Sequence, residues 1–280
     1  MIIQHNISAI NSYRNLGINN DALSKNLEKL SSGYKINRAG DNAAGLAISE
    51  QMRSQIAGIN QAVTNAKDAI GLIQTAEGAL TETHSMLNRM ITLYTQAANG
   101  TYSESATNNT ARKNIQVEVE RLNEEINRIA EQTDFNGIKP LDGKSNMNMT
   151  FQIGPSKNEI IEVAGGDMTA KTSGLGTASL NTNVMSVTDA NEAIDKINAA
   201  INKVSDLRAK FGAAQNRLEH TINSLQVSSE NITAAESRIR DTDMADEITK
   251  YTKNNILLQA AQSMLSQANA TPQGVLSMLQ

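Results

Sequence analysis

The sequence predicts a mainly α-helical protein, an elongated helical bundle or coiled coil with paired terminal helices and one small β-hairpin region. Three observations lead to this fold class. Apolar residues recur every seven positions over most of the chain, which is the repeat that lets helices wrap around each other. Aromatic residues make up only 3% of the 280 residues, so packing relies on aliphatic side chains. Residues 134–182 lose the heptad repeat and gain turn residues.

The two chain ends carry matching heptad patterns, which predict a pair of terminal helices. The apolar seams are interrupted by Asn20, Asn255 and Gln262. The helix pair therefore buries too little apolar surface to be stable without neighbouring helices in an assembly. Residues 254–280 contain no ionisable side chain, which suits burial among other helices. We interpret the ends as assembly elements, with these contacting residues: Leu16, Leu23, Leu27, Leu30, Ile248, Tyr251, Leu258 and Leu265.

Residues 31–45 follow the first predicted helix and contain three glycines. Because glycine readily adopts backbone conformations that end a helix, this segment predicts a jointed connector. Asp41 or Asn42 is expected to cap the next helix, since a short polar side chain accepts a hydrogen bond from the free backbone N–H groups of the first turn.

Three further heptad runs predict the long helices of a rod. They cover residues 59–94, 115–129 and 190–239. A helix of about 50 residues is roughly 75 Å long, far longer than the average globular helix of about 11–12 residues.

A β-hairpin is predicted within residues 134–182. Met147, Met149, Phe151 and Ile153 alternate with polar residues, as the residues of a half-buried strand do. Asn-Gly and Asp-Gly dipeptides nearby are typical of tight turns. We expect the tip of this region, at about residues 164–182, to be irregular and exposed.

Few residues of the chain are candidates for catalysis or metal binding. The chain has no cysteine, which excludes disulfides, zinc–thiolate sites and thiol catalysis. Its three histidines lack partners at catalytic or metal-binding spacing. The acidic cluster at residues 241–247 precedes an apolar helical run, as N-terminal caps do. We therefore expect no enzyme activity, no cofactor and no metal site.

The net charge and the lengths of the apolar runs also argue against nucleic acid and membrane as partners. The formal net charge is −4 and no basic run is concentrated anywhere, so nucleic-acid binding is not expected. No run of about 18 apolar residues predicts a membrane span. The start, MIIQHNISAI, has no basic region and no cleavage-site pattern, so a cleaved signal peptide is not expected.

Three segments together resemble bacterial flagellin. The start MIIQHNISAINSYRNL and the connector LSSGYKINRAGDNAAGLAIS, residues 30–49, resemble the N-terminal signature of that family. The stretch TDFNGIKPLDG, residues 133–143, is similar to the turn after the family's second long helix. At the other end, SRIRDTDMADE (237–247) and QANATPQGVLSML (267–279) match the C-terminal signature. Only about residues 144–182 lie outside the resemblance.

The resemblance implies a secreted structural subunit of the extracellular flagellar filament, which self-assembles into a homopolymer. It implies type III export with an uncleaved signal, and a flagellar export chaperone and cap or junction proteins as partners. It also implies three regions. These are an inner assembly domain (1–40 plus 241–280), a rod-like helical domain (41–143 plus 183–240) and a short variable insert (144–182).

The resemblance further implies recognition by the host Toll-like receptor that senses flagellin. Arg89, Leu93 and Glu118 fall at positions that match the family's receptor-binding residues, whereas Ile91 and Thr92 depart from them. Arg89 and Leu93 are four residues apart, on one predicted helix face. We expect receptor binding in an altered form, with Arg89 as the main contact.

Alternatives to a filament subunit stay open from the sequence. The hook–filament junction protein shares the terminal patterns, and a secreted coiled-coil protein would bind a different protein instead of itself. A third alternative is an enzyme built on a flagellin scaffold. The insert at residues 144–182 argues against this, because it contains no histidine and no zinc-binding motif.

Overall fold

The computed structural model describes residues 5–101, 110–143, 148–182 and 186–278. The helices are α1 (Ile7–Ser32), α2 (Ala43–Ala97), α3 (Thr110–Gln132), α4 (Val187–Arg240) and α5 (Met244–Met278), and the strands are β1 (Asn148–Gln152) and β2 (Ile160–Ala164). A short 3-10 helix spans Thr177–Thr182. These long helices and the two-stranded sheet confirm the predicted mainly α fold class.

The described residues group into two compact units. Unit one combines the residues up to Ile56 with those from Glu230 onward, and unit two comprises Ala57–Ser229. Unit one therefore extends beyond the predicted terminal regions of residues 1–40 and 241–280, and it includes the connector and the adjoining turns of α2 and α4.

In unit one, α1 and α5 pack against each other in opposite directions. Asn6, just before α1, donates a side-chain hydrogen bond to the carbonyl of Ala268 at 2.7 Å. Asn19, in the middle of α1, donates to the carbonyl of Leu257 at 3.5 Å. Moving forward along α1 thus means moving backward along α5, and the terminal helices form the predicted pair.

In unit two, α2, α3 and α4 enclose a continuous apolar core. The predicted heptad positions fill it, because a seven-residue repeat keeps each apolar side chain directed at the neighbouring helix. The following heptad residues are completely buried: Ile73, Leu80, Leu87, Tyr94, Val119, Ile126, Ile197, Val204, Phe211 and Leu218.

The predicted hairpin is present. β1 and β2 are antiparallel, with Met149 opposite Val163 and Phe151 opposite Ile161. The inward-facing Ile161 and Val163 belong to the core of unit two, so the alternation of apolar residues marks the buried face of the hairpin as expected. Met147, the first residue of the predicted alternation, lies outside the described residues.

The expectation of an exposed tip at residues 164–182 was wrong for much of this segment, although residues 171–173 are exposed. Met168, Ala170 and Leu180 are buried in the core of unit two. The segment is held there by backbone hydrogen bonds, for example from the N–H of Met168 to the carbonyl of Leu141 at 3.0 Å. Its apolar residues are spaced irregularly among Gly, Ser and Thr, so no period in the sequence indicated their burial.

Candidate assembly surface

Helix α1 begins and ends at defined caps. The side chain of Asn6 accepts a hydrogen bond from the backbone N–H of Ala9 at 3.1 Å, which satisfies one free donor of the first turn. At the other end, Gly33 has a φ of 75° and donates its N–H to the carbonyl of Lys29 at 2.8 Å. Glycine adopts this left-handed conformation without strain, so the helix ends here and the connector begins.

The contact between α1 and α5 is a seam with heptad spacing. Most of the predicted assembly residues lie along it and are half-buried: Leu16, Leu23 and Leu30 on α1, and Tyr251, Leu258 and Leu265 on α5. The structure therefore brings these residues together within one chain. Each keeps part of its surface exposed, so the pair is only partly closed.

Leu27 and Ile248, the other two predicted assembly residues, do not lie in this seam. Their exposed fractions are 52% and 51%, whereas the preceding Asn26 and Glu247 are buried. Each residue of a helix is rotated by about 100° from the one before. Burial of the polar residue therefore turns its apolar neighbour outward.

An apolar surface faces outward from both helices. A shallow groove of about 480 Å³ on α5 is lined by residues that include Ile248, Thr252 and Leu257. Sequence reasoning missed most of this surface because its residues fall outside the apolar heptad. For the part on α5, the available signal was the absence of ionisable side chains from residues 254–280. Besides Leu27 and Ile248, the exposed side chains are Ile7, Ile10, Tyr13, Ile18, Met244, Ile256, Leu257 and Met264, each 40–70% exposed.

The connector between α1 and α2 is bonded to the end of α4. The N–H of Thr242 donates to the carbonyl of Gly33 at 2.9 Å, and the N–H of Lys35 donates to the carbonyl of Arg240 at 2.7 Å. The two chain segments are antiparallel here. The connector is therefore a bonded joint within unit one.

The side chain of Arg240 adds two contacts to this joint. Its guanidinium lies 4.7 Å from the centroid of the Tyr34 ring, and Nη1 is 2.5 Å from a carboxylate oxygen of Glu50. The Arg240 side chain is only 12% exposed. The hydrogen bond from Arg240 lowers the pKa of the Glu50 carboxyl.

Of the two predicted caps of α2, Asn42 is the cap. Its Oδ1 accepts a hydrogen bond from the N–H of Gly45 at 2.9 Å. Asp41 instead accepts hydrogen bonds from the N–H groups of Arg38 and Asn37 at 3.1 and 3.2 Å, and these bonds lower its pKa. Asp41 therefore closes the loop before the helix.

The acidic cluster at residues 241–247 caps the start of α5 and forms an ion pair there. Asp243 accepts hydrogen bonds from the N–H groups of Ala245 and Asp246 at 2.9 and 3.2 Å, as the capping interpretation predicts. Asp246 also pairs with Lys250 at 2.7 Å. In the part of the chain that the structure describes, no group of three or more His, Asp or Glu side chains is placed to hold a metal ion.

Two of the predicted receptor-binding residues are paired on the surface of unit two. Arg89 on α2 donates from Nε and Nη2 to Glu118 on α3, at 2.8 and 2.7 Å. Both side chains remain substantially exposed, at 54% and 42%.

Leu93 does not share this surface, because it is only 2% exposed and lies in the core. The expectation that Arg89 and Leu93 offer one common face was therefore wrong. Four residues rotate a helix about 40° beyond a full turn, which here carries Leu93 underneath the neighbouring helices. Ile91 is half-buried against the core.

None of the described helices combines the length and hydrophobicity that crossing a membrane requires.

Family models and relatives account for nearly all of the chain. A model for the bacterial flagellin N-terminal helical region matches residues 3–146, and one for the bacterial flagellin C-terminal helical region matches residues 194–279. A flagellin of Bacillus subtilis (strain 168) is 50% identical over 306 aligned positions, and one of Halalkalibacterium halodurans is 49% identical over 280. Both alignments cover 100% of each chain.

One solved structure also shows a related fold. It is a Vibrio parahaemolyticus protein described as flagellar hook-associated, with a TM-score of 0.60. The match covers 72% of this chain and 100% of that chain at 12% sequence identity. At this identity the likeness concerns the fold alone.

Proposed function

Because the chain belongs to the bacterial flagellin family and is a structural subunit of the flagellar filament, we propose that the outward surfaces of α1 and α5 join one subunit to the next. The observation that supports this most directly is the set of large apolar side chains exposed on both helices, such as Ile10, Tyr13, Ile256 and Met264. Contiguous exposed apolar surfaces mark sites of protein association. A second copy of the chain presents the same surfaces and can cover them.

The proposal is tested by polymerisation of the purified protein through a heating and cooling cycle, followed by electron microscopy. The parent protein is expected to form filaments. Ile256→Asp places a charge on a side chain that is 61% exposed in the single chain, and it should prevent filaments, because the charge must be desolvated at the subunit contact. Ile256→Leu keeps the apolar character and should polymerise like the parent.

Loss of filaments in Ile256→Leu as well would contradict the apolar contact. A parent protein that stays monomeric and binds a different protein would favour a secreted coiled-coil binding protein.

We propose the following placement in the cell. The protein is exported by the flagellar type III apparatus and works outside the cell, where its role is structural and not enzymatic. The terminal regions line the inside of the filament and the long helices form its outer layer. Export chaperone and cap or junction proteins cover the exposed apolar side chains before a subunit is incorporated. The large apolar side chains that are exposed on a single chain support such transient partners.

Recognition by the flagellin-sensing Toll-like receptor is a second proposed property. It rests on Arg89 and Glu118, which are paired and accessible on adjacent helices of unit two. Arginine is enriched among the residues that dominate binding energy at interfaces, and Arg89 can exchange its bond with Glu118 for a bond to a receptor acceptor. Leu93 contributes only to the packing underneath.

A further inference from the structure

The most buried side chains between α1 and α5 are polar. Asn26 is the only buried residue of α1 and is 8% exposed. On α5, Glu247 is 4% exposed, and it is the only buried residue among the α5 side chains that the structure describes. The leucines along the same seam are merely half-buried. An ionisable residue thus occupies the position where an apolar side chain would gain the most from burial.

Asn26 and Glu247 form one hydrogen-bonded cluster with Asn254. We assign the Asn26 amide with Nδ2 toward Glu247, because this orientation gives both ends of the amide a partner. In it, Nδ2 donates to Glu247 Oε1 at 2.9 Å and to the carbonyl of Ala22 at 3.2 Å. Its Oδ1 accepts a hydrogen bond from Nδ2 of Asn254 at 2.9 Å. The ammonium group of Lys250 lies 3.7 Å from the other Glu247 oxygen. Both ends of the Asn26 amide and both carboxylate oxygens therefore have partners.

The apolar residues alone do not fix how α1 is aligned along α5. Leu16, Leu23 and Leu30 repeat at seven-residue intervals, and Tyr251, Leu258 and Leu265 do the same on the partner helix. A slide by one heptad, about 10 Å, would again set leucines against apolar residues. The same slide would separate Asn26 from Glu247 and Asn254, whereas Lys250 lies on α5 with Glu247 and stays beside it. Buried polar groups that lose their hydrogen-bond partner are unfavourable.

We propose that the cluster of Asn26, Glu247 and Asn254 selects the register of α1 along α5, and does so at the expense of packing energy. A single polar residue in an apolar coiled-coil seam acts in this way in other helix pairs. The inference rests on the proposed function, since the aligned pair is the one that presents the outward apolar surface to the next subunit. In a subunit whose helices pair one heptad out of register, the outward apolar surface would not be aligned with the matching surface of the next subunit.

Two double variants separate register selection from simple stabilisation. Asn26→Leu with Glu247→Leu replaces the polar pair by apolar residues. Asn26→Glu with Glu247→Asn exchanges donor and acceptor, so a hydrogen bond between the helices is retained. Register selection predicts that the exchanged pair behaves like the parent and that the leucine pair populates more than one alignment. A purely stabilising role predicts a single, unchanged alignment for the leucine pair.

The alignment is measured as a distance between two spin labels. The chain has no cysteine, so cysteines introduced at the exposed positions Lys25 and Gln259 are the only labelling sites. A small fraction of labelled protein is polymerised with an excess of unlabelled parent, and the distance distribution is recorded in the filament. We expect one distance for the parent and for the exchanged pair. For the leucine pair we expect at least one additional distance, corresponding to a slide of about 10 Å.

A single parental distance in the leucine pair would overturn the inference, and so would loss of helix pairing in that variant. An exchanged pair as heterogeneous as the leucine pair would also overturn it. Failure of the unsubstituted parent to polymerise would instead contradict the proposed function.

Discussion

At the residue scale, Arg240 connects separate parts of unit one. Its guanidinium contacts the Tyr34 ring and the Glu50 carboxylate. Because arginine stays protonated at all ordinary pH values, the pH dependence of this contact comes from Glu50. The hydrogen bond from Arg240 lowers the pKa of Glu50 from its ordinary value of 4.5. The pair therefore contributes stability above that value, and the contribution is lost as the pH falls through the lower folded-state pKa.

We predict that Arg240→Gln lowers the temperature at which filaments dissociate, and that the difference from the parent shrinks as the pH falls below about 4.5. Dissociation is followed by light scattering at a series of pH values. Arg53→Gln is the matched control, because Arg53 contacts the same carboxylate at 3.3 Å and is 51% exposed, so its effect should be smaller. A difference between Arg240→Gln and the parent that stays constant with pH would contradict the assignment to Glu50.

A second prediction at this scale concerns the receptor. Arg89→Ala should weaken binding of monomeric protein to the flagellin-sensing receptor by about tenfold or more, which corresponds to about 1.4 kcal/mol or more. Binding is measured by surface plasmon resonance. Arg128→Ala is the control, since Arg128 also pairs with a glutamate on the surface, Glu125, and is 53% exposed. Unchanged affinity in Arg89→Ala, or tight binding by intact filaments, would contradict the proposal.

At the scale of secondary structure elements, the seam between α1 and α5 is sensitive to charge. Leu258 is half-buried against α1, in a stretch without ionisable side chains. We predict that Leu258→Asp abolishes filaments and leaves unit two folded, since desolvating the new carboxylate costs several kcal/mol. Sedimentation measures polymer and circular dichroism measures the folded helices.

The control for this variant is Ala245→Asp. It adds the same charge at an exposed position in the first turn of α5, next to the charged residue Asp246. Filaments should still form, because this part of the helix already carries ionised groups. Normal filaments from Leu258→Asp would show that position 258 does not lie in a closed contact.

At the scale of the whole molecule, the two units differ in how much apolar surface they bury. Unit two has completely buried heptad residues along three helices, whereas the single buried residue of α1 is Asn26. We predict that residues 1–40 and 241–280 are largely unfolded in the isolated monomer and become helical on assembly, because burial in the single chain does not offset the entropy of ordering.

Hydrogen exchange on the monomer measures this directly. Amides around Leu80 and Phe211 should be protected, and those of α1 and α5 should exchange rapidly. Filaments provide the comparison, in which protection should extend to both terminal helices. Strong protection of residues 16–30 or 258–265 in the monomer would contradict the prediction.

The sequence alone determined the parts of this protein that depend on local pattern. The heptad runs placed the long helices and identified the core residues of unit two, such as Leu87, Val204 and Leu218, because a regular apolar period fixes which face of a helix is buried. The alternating strand was predicted from its own apolar period, and the connector with its cap from glycines and short polar side chains. The terminal signatures also indicated the family before any contact was known.

Only the tertiary structure decided the features that depend on a partner far away in the chain. Met168, Ala170 and Leu180 of the turn-rich segment at residues 164–182 are buried because the long helices leave an apolar surface for them to cover. Leu93 is buried because neighbouring helices pack over that side of α2. Asn26 faces inward, and Leu27 outward, because Glu247 and Asn254 supply hydrogen bonds from the opposite end of the sequence. Periodicity describes one helix at a time, whereas burial is fixed by the helix that packs against it.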